Sequence, residues 1–419
     1  MDTKTLLNLI DERKEELFEL LSSFVKINTE NFRTGGNEKE LAEHIHKLCL
    51  DLGLESDIYS PLEIDGFENH PDFIPGGHLE NRPNVMARYK GTEDTDYLML
   101  MAHTDTVEIG DLNNWEKEPL SGEIKDGKIF GRGSGDDKYA LATIFFIMKL
   151  LKENNVKLKK NLLFAAYCDE EHGGSHGALA SVLKYPCPHI VNLDCREDQI
   201  WHCGSGGQEV SYRYHTKETV DSAKLTASAI PIVMEEIDKF AARRKQELEE
   251  NPYYKGTIIP ETSLRYMDVH AGNHGNDLGV GDLYFTYYTD KTKEEIYAEF
   301  HELEETLKKR LEPLGIIGDG IKPRTRFFHY VHCEPDSPDV LKMVEAAKVA
   351  TGEAPLVCGS CLSDLSVISK YGSQNAYAFG MGRDFSKKGG AHQPNEFIES
   401  EKFVGFTKTI AAFVLDMLA

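Results

Sequence analysis

Hydrophobic residues change their spacing along the chain, and the change predicts two kinds of element. Near the N-terminus they recur every three or four positions, the spacing of a helix over 3–26, at Leu6, Ile10, Leu17, Leu21 and Phe24. Further helices are predicted over about 37–52, 139–152, 338–351 and 400–418. Between them lie short, continuously apolar runs at 97–102, 161–167, 189–193 and 375–379. Because such runs are typical of strands buried on both faces, they predict an α/β fold with a mixed, largely parallel sheet flanked by helices.

The pattern changes after the glycine-rich segment 203–207. From there the sequence predicts a strand at 209–216, a helix at 223–249, strands at 263–270 and 281–289, a helix at 292–311 and a strand at 324–333. This βαββαβ order is that of a ferredoxin-like unit, which is complete in itself. We therefore predict one domain formed by residues 1–206 and 335–419, interrupted by a second domain over 207–334.

Composition excludes several classes of partner. The chain has 419 residues, of which 40% are hydrophobic, enough for a packed core. Its 47 basic and 70 acidic residues give a net charge of −23, which argues against binding nucleic acid or an anionic membrane. The N-terminus lacks the pattern of a secretory signal, and no apolar stretch approaches the roughly 18 residues of a membrane span. Since the eight cysteines are scattered, with only one isolated C-x-x-C spacing at Cys358 and Cys361, we expect a reducing, cytoplasmic location.

Three of the apolar runs end in polar residues that suit a metal ion. His103 ends the first run, Glu170 and Glu171 follow the second, and Asp194 follows the third. In open α/β sheets ligands bind at the carboxyl edge of the strands, so we expect these side chains to converge there. A nitrogen donor combined with several oxygen donors suits zinc, with cobalt or manganese as alternatives. The sequence therefore predicts a metal site at this edge.

Each of these signals has a simpler interpretation when it is taken alone. The segment His103-Thr-Asp105 is also compatible with a strand end whose side chains bond their own backbone. The pair Glu170-Glu171 is, by itself, more often a solvated acidic turn. The metal site thus depends on the signals in combination.

Two further segments resemble known motifs only superficially. The glycine-rich segment 131–138 opens a helix, but it lacks the Walker spacing, and Asp136 and Asp137 would repel a phosphate. An aspartate there is expected to cap the helix, and one carboxylate can also face the cleft. His172 and His176 have the i, i+4 spacing of a helical zinc site, yet two glycines separate them and no glutamate follows the first. We predict that the segment is a loop.

Taken together and in order, these segments resemble the M20 metallopeptidase and deacylase family, and within it the acetylornithine deacetylase and succinyl-diaminopimelate desuccinylase branch. The matching stretches are Arg82-Pro-Asn-Val85, His103-Thr-Asp-Thr-Val107, Trp115 with Pro119, Gly131-Arg-Gly-Ser-Gly-Asp-Asp-Lys138, Asp169-Glu-Glu171, Asp194, Gly359-Ser360 with Asp364, and Ala391-His-Gln-Pro-Asn-Glu396. The resemblance spans nearly the whole chain. It implies a zinc-aminopeptidase-like catalytic domain with an inserted ferredoxin-like lid domain, and a homodimer formed through that lid.

The resemblance also implies two divalent metal ions, expected to be zinc, with cobalt or manganese as alternatives. One ion is expected at His103, Asp136 and Asp194, and the other at Asp136, Glu171 and His392. Asp136 is chosen over Asp137 because it fits the family pattern Gly-Arg-Gly-x-x-Asp-x-Lys. A bridging carboxylate agrees with the physics, since two cations about 3.5–4 Å apart need a shared anion.

Two catalytic roles follow from the same resemblance. Glu170 is expected to be the general base, and Asp105 to hydrogen-bond the non-ligating nitrogen of His103 and so fix the ring. Neighbouring side chains diverge at a strand end, so Glu171 can bind a metal while Glu170 reaches the metal-bridged water. The implied reaction is hydrolysis of the amide bond of an N-acyl amino acid or a short peptide.

The substrate-binding residues are less well defined. The loop after the first lid strand lacks the family's His-Ser-x-x-Pro form, so the histidine that stabilises the oxyanion is not assigned. The candidates for substrate contacts are His215, His270, His274, Gly359, Ser360 and Arg383. For each histidine, an ordinary surface position is the simpler interpretation. Arg383 is a candidate partner for a substrate carboxylate because the strand at 284–289 lacks the Asp-x-Arg of many relatives.

Two other functions stay open. A dipeptidase or aminopeptidase would use the same metals and base, but would recognise a free amine. A non-catalytic binding protein that retains the fold is disfavoured, because Glu170 and all the expected ligands are present. In either enzymatic case the partner is a small-molecule or short-peptide substrate, with no nucleic acid and no membrane.

Overall fold

The polypeptide divides into two units, and each is built from separate segments of the chain. The computed structural model describes residues 1–76, 78–217, 220–255, 257, 259–274 and 277–419. The first unit comprises Met1–Cys203, His332–Cys358 and Val367–Ala419, and the second comprises Gly204–Val331 and Gly359–Ser366. Compared with the predicted division into 1–206 with 335–419 and 207–334, the structure groups residues 359–366 with the second unit.

Helices and strands are numbered in chain order. The helices are α1 (Thr3–Glu12), α2 (Lys14–Val25), α3 (Lys39–Asp51), α4 (Lys138–Glu153), α5 (His176–Lys184), α6 (Ser222–Glu250), α7 (Lys293–Leu311), α8 (Pro338–Thr351), α9 (Leu365–Val367) and α10 (Ser400–Leu418). The strands are β1 (Glu55–Tyr59), β2 (Asn84–Tyr89), β3 (Asp96–His103), β4 (Ile124–Lys125), β5 (Lys128–Phe130), β6 (Asn161–Tyr167), β7 (His189–Glu197), β8 (Gln199–Gly204), β9 (Gly206–Thr216), β10 (Leu264–His274), β11 (Asp277–Thr289), β12 (Ile316–Pro323), β13 (Val331–His332), β14 (Leu356–Gly359), β15 (Ala376–Gly380) and β16 (Phe397–Glu399).

The first unit is organised around a sheet with the strand order β1-β2-β6-β3-β7-β15-β8-β13. Its centre is parallel, since β3 pairs in parallel with β6 and β7, and β15 pairs in parallel with β7. Alternate residues of β3 serve opposite faces: Leu98 and Leu100 join the core cluster that includes residues of α4 and α10, while Met99 and Met101 are also buried. Burial on both faces explains the continuous apolar runs. The predicted fold class, a mixed and largely parallel sheet flanked by helices, is confirmed.

The second unit is a four-stranded antiparallel sheet in the order β10-β11-β9-β12. Helices α6 and α7 pack on it through a cluster that includes Val210, Tyr212, Phe240, Phe285 and Phe300. The chain order β9-α6-β10-β11-α7-β12 is βαββαβ. Among the residues that the structure describes, no helix combines the length and the apolar character that crossing a membrane requires.

Two predicted elements were wrong in their bounds. The predicted strand 324–333 is displaced, because β12 occupies Ile316–Pro323 and only Val331–His332 of the predicted segment is a strand. Glycine and proline disfavour strands, so propensity gave no signal for β12, which pairs with β9 as an edge strand with an irregularity between Gly318 and Gly320. The single helix predicted over 3–26 is two helices, since the backbone of Arg13 (φ −113°, ψ 18°) leaves the helical region.

Candidate metal centre

The ends of three neighbouring parallel strands bring four of the predicted residues to one edge of the sheet. His103 is the last residue of β3, Asp194 lies in β7, and Glu170 and Glu171 follow the end of β6. A hydrogen bond joins the ends of β3 and β6, since Thr104 donates its backbone N–H to the carbonyl of Tyr167 at 2.7 Å. The strand order β6-β3-β7 therefore places these side chains together, as the sequence predicts.

Two further predicted residues reach the same place from loops. Asp136 lies just before α4, and His392 lies between β15 and β16 with a left-handed backbone (φ 61°). Asp136 Oδ1 is 3.0 Å from His103 Nε2, and its Oδ2 is 3.2 Å from His392 Nε2. His392 Nε2 also lies 2.7 Å from Glu171 Oε2. One carboxylate thus lies between two imidazoles.

The ligand atoms form two overlapping groups. Those of His103, Asp136 and Glu171 lie within 4.8 Å of one another, as do those of His103, Glu170 and Asp194. A tetrahedral ion with bonds of about 2.1 Å places its donors roughly 3.4 Å apart, close to the spacing around Asp136. Imidazole nitrogens and carboxylate oxygens are ligands that zinc accepts. The donor set therefore fits divalent cations.

The electrostatics of the group favour positive charge. Burial, the largest effect, lowers the pKa of His103, but the carboxylates of Asp105 and Asp136 outweigh it and hold that pKa well above its ordinary value. Burial also opposes protonation of His392, yet Glu171 and Asp136 raise its pKa to about 11. Since a proton and a metal ion compete for the same imidazole lone pair, carboxylates that favour the proton also favour a cation.

The Asp105 carboxylate has a different partner from the one predicted. Asp105 is fully buried, but His103 Nδ1 lies 3.0 Å from its backbone carbonyl oxygen and 3.6 Å from its carboxylate Oδ1. The carboxylate Oδ2 accepts the backbone N–H groups of Glu170 and Glu171, each at 3.0 Å. The carbonyl of Asp105 thus orients the His103 ring, leaving Nε2 toward Asp136, while its carboxylate holds the backbone of the two glutamates.

Behind Asp105 lies a buried polar network that sequence reasoning did not find. Asn31 Nδ2 donates to Asp105 Oδ2 at 2.9 Å and to Asp169 Oδ1 at 3.3 Å. Arg82, with no exposed surface, forms ion pairs with Asp169 at 2.8 Å and Glu38 at 2.5 Å. Arg82 and Asp169 lie in the matched stretches, but no local pattern shows that residues so distant in sequence pair in the core.

Two local interpretations of the sequence can be compared with the structure. Asp137 occupies the N-cap position of α4 but makes no side-chain capping bond, and its Oδ2 instead accepts the backbone N–H of His103 at 3.3 Å. The capping interpretation is therefore wrong for Asp137. His176 is the first residue of α5 and His172 precedes it outside the helix, so the pair does not share a helix face.

Arg383, a predicted substrate contact, lies in the first unit and is engaged by neighbouring side chains. Its Nη1 is 3.3 Å from Glu399 Oε1, and its guanidinium lies 4.3 Å from the ring centroid of Phe397. Phe385, which is exposed, places its ring 4.7 Å from the ring of His392. A contact of Arg383 with substrate stays a prediction.

The other predicted substrate contacts belong to the second unit. His215 and His270 each face a carboxylate of that unit, at 2.9 Å and 3.1 Å. Ser360 is buried, and its hydroxyl donates to a neighbouring backbone carbonyl at 2.7 Å, next to Gly359. The side chain of His274 lies outside the described part of the chain. The roles of these residues stay predictions.

Residues 99–416 match the sequence model of the family described as Peptidase family M20/M25/M40. Among curated proteins, the chain is 34% identical over 187 residues to an uncharacterized metallohydrolase of Methanocaldococcus jannaschii, covering 44% of this chain and 43% of that protein. The chain thus spans less than half the length of this archaeal relative. It is 23% identical to the N-formyl-4-amino-5-aminomethyl-2-methylpyrimidine deformylase of Bacillus subtilis, covering 97% of this chain and 95% of that protein.

A solved structure shares the fold over almost the entire chain. The dipeptidase Dug1p from Saccharomyces cerevisiae aligns with a TM-score of 0.73, covering 99% of this chain and 98% of that one. The two sequences are 15% identical, so this likeness concerns the fold alone.

Proposed function

Because this chain belongs to peptidase family M20/M25/M40, we propose that it is a dinuclear metal-dependent amidohydrolase, which cleaves the amide bond of an N-acyl amino acid or a short peptide. The observation that carries the proposal is the Asp136 carboxylate, which lies 3.0 Å from one imidazole nitrogen and 3.2 Å from another. A carboxylate shared in this way is what two neighbouring cations require.

The proposed ligands divide into two sets that share Asp136. The first cation is assigned to His103, Asp136 and Asp194, and the second cation to Asp136, Glu171 and His392. The mixture of imidazole and carboxylate donors supports zinc, with cobalt and manganese as alternatives. When bound, the cations would polarise the substrate carbonyl and acidify the attacking water.

Glu170 is assigned as the general base. A carboxylate oxygen of Glu170 lies within 4.8 Å of a ring nitrogen of His103 and of a carboxylate oxygen of Asp194, and the backbone N–H of Glu170 donates to the Asp105 carboxylate at 3.0 Å. The Glu170 carboxylate takes a proton from the attacking water and then delivers it to the nitrogen of the leaving amine. Its neighbour Glu171 is fixed separately, since Oε1 accepts the backbone N–H of Val107 at 3.0 Å.

Removal of an acyl group is the favoured reaction. The relative that aligns over 97% of this chain is named as a deformylase, which removes a formyl group from an amine. A dipeptidase activity is the second candidate, because the same fold occurs in the dipeptidase Dug1p. The two candidates differ in whether the cleft accepts an acyl group or a free amino terminus.

Location and assembly are further proposals. Within the described part of the chain the structure pairs none of the cysteines in a disulfide, which supports a reducing cytoplasm. A homodimer through the second unit is supported by its edge strands β10 and β12, because the edge of a sheet can pair with a strand of another chain. Light scattering coupled to size exclusion measures the mass directly, and a monomer at micromolar concentration would exclude the dimer.

The function is tested by removing metal with a chelator and adding zinc, cobalt or manganese back in stoichiometric steps. Hydrolysis is then measured on N-formyl, N-acetyl and N-succinyl amino acids and on dipeptides. We expect two ions per chain and turnover that appears only on reloading, fastest with an acyl amino acid. Turnover of dipeptides alone would favour the second candidate. Absence of both metal binding and hydrolysis would support a non-catalytic protein.

A further inference from the structure

A buried ion pair joins the two loops that carry Asp136 and His392. Arg132 Nη1 lies 2.6 Å from Glu396 Oε2, and the exposed fractions of the two side chains are 3% and 1%. The residues are 264 positions apart, so the pair links distant parts of the chain. Removing one partner of such a pair leaves a buried, uncompensated charge, so the replacement of either residue is expected to disturb the structure around it.

Each partner also contacts the backbone beside a proposed ligand. Glu396 Oε1 accepts the N–H of Gly135, the residue before Asp136, at 2.8 Å. Arg132 Nη2 donates to the carbonyl of His392 at 3.4 Å, and Nη1 donates to the carbonyl of the following residue at the same distance. The pair therefore connects the backbone at Asp136 with the backbone at His392.

The loop ligands depend on the ion pair more directly than the ligands at the strand ends do. His392 adopts a left-handed backbone (φ 61°), a conformation that residues other than glycine rarely adopt without support from their surroundings. Glu171, the third proposed ligand of the second cation, is held independently by Val107 and by the Asp105 carboxylate. His103 and Asp194 lie on strands of the sheet. A change in the ion pair should therefore affect the loop ligands first.

We propose that Arg132 and Glu396 are positioning residues that fix Asp136 and His392 relative to each other and thereby set the affinity for the second cation, which takes two of its three ligands from these loops where the first cation takes only Asp136. This inference rests on the proposed dinuclear site. The pair does not touch the reacting atoms, and it acts through the geometry of the ligand set. Residues that hold ligands in place typically change metal affinity by about 10–100-fold when they are replaced.

The test is a zinc titration of the metal-free protein. Calorimetry measures the binding, and metal analysis after dialysis counts the ions that stay bound. For Glu396→Gln and Arg132→Lys we expect one site within about threefold of the unmodified protein, and a second site at least about 10-fold weaker. A high zinc concentration should restore two ions per chain. Using both variants keeps the test valid if one of them fails to fold.

Glu299→Gln is the matched control. Glu299, whose side chain is 17% exposed, pairs with the buried Arg244 of the second unit at 3.0 Å, so the variant makes the same chemical change to an arginine–glutamate pair without touching the metal loops. We expect it to bind both zinc ions normally. Equal weakening of both sites in the Arg132 and Glu396 variants, or two unchanged sites, would overturn the inference. Failure of the unmodified protein to bind two ions would instead refute the proposed dinuclear site.

Discussion

The proposed metal centre has two halves that are held in different ways. His103 and Asp194 lie on parallel strands, which a ladder of backbone hydrogen bonds fixes. Glu170 and Glu171 lie three and four residues beyond the end of β6, and the Asp105 carboxylate holds their backbone N–H groups. Asp136 and His392 lie in loops, where side chains such as Arg132 and Glu396 provide the connections. The sheet thus supplies a fixed base, and the proposed role of Arg132 and Glu396 makes completion of the centre by the loops depend on their buried contacts.

The histidines of the two halves also differ in how far their side chains are exposed. The side chain of His103 is fully buried beneath the strand ends, whereas that of His392 is 37% exposed. We therefore expect a group on a strand end to keep its place when a neighbour is changed, and a group on a loop to shift more readily. This contrast leads to predictions that separate chemistry from positioning.

The largest effect is expected for Glu170→Gln in the strand half. The amide keeps the shape of the side chain but cannot take a proton, so kcat should fall about 10³-fold. Because the strand-end backbone is unchanged, metal content should stay the same. Steady-state kinetics and metal analysis check both points, with the exposed Glu93→Gln as control. Near-normal turnover would refute the assignment of the base.

A smaller loss is expected for Asp105→Asn. Asp105 Oδ2 accepts hydrogen bonds from the backbone of Glu170 and Glu171 and from Asn31. Asparagine retains one oxygen but loses the negative charge, so kcat should fall about 10-fold at saturating zinc. The variant with alanine, which removes every acceptor, should be more severely impaired. Equal activity of the asparagine and alanine variants would show that the acceptor oxygen is not important.

The smallest effect is expected on the stability of the metal-free protein, when either of the two histidines is replaced. His103→Ala empties a fully buried position, whereas His392→Ala removes a partly exposed ring. We expect His103→Ala to lower the free energy of unfolding by at least about 1 kcal/mol more than His392→Ala. Urea denaturation of both variants without metal measures the difference. The reverse order would contradict the description of the strand half as the fixed base.

The same two halves differ in how far the sequence predicts them. His103, Glu170 and Asp194 stand out because each ends or follows an apolar run, and burial of the strands on both faces makes those runs continuous. Asp136 and His392 have no such signal, since they lie in glycine-rich loops, and only the family resemblance selects them. The spacing of hydrophobic residues cannot distinguish Asp136 from its neighbour Asp137, because adjacent residues share the same local pattern.

Contacts between distant residues account for most of what the sequence does not predict. The Arg132–Glu396 pair spans 264 positions, and the Asn31–Asp105 bond spans 74. Neither pair has a spacing that helices or strands impose. The strand β12 was displaced for a related reason: pairing with β9 overrides the unfavourable glycines at 318 and 320.

The interrupted course of the first unit has a consequence for synthesis on the ribosome. His103, Asp136, Glu170, Glu171 and Asp194 are all translated before the second unit, and His392 is translated after it. After Asp194 has been translated, more than a hundred further residues must be added before His392 follows. Until His392 has been translated, the ligand set proposed for the second cation is incomplete.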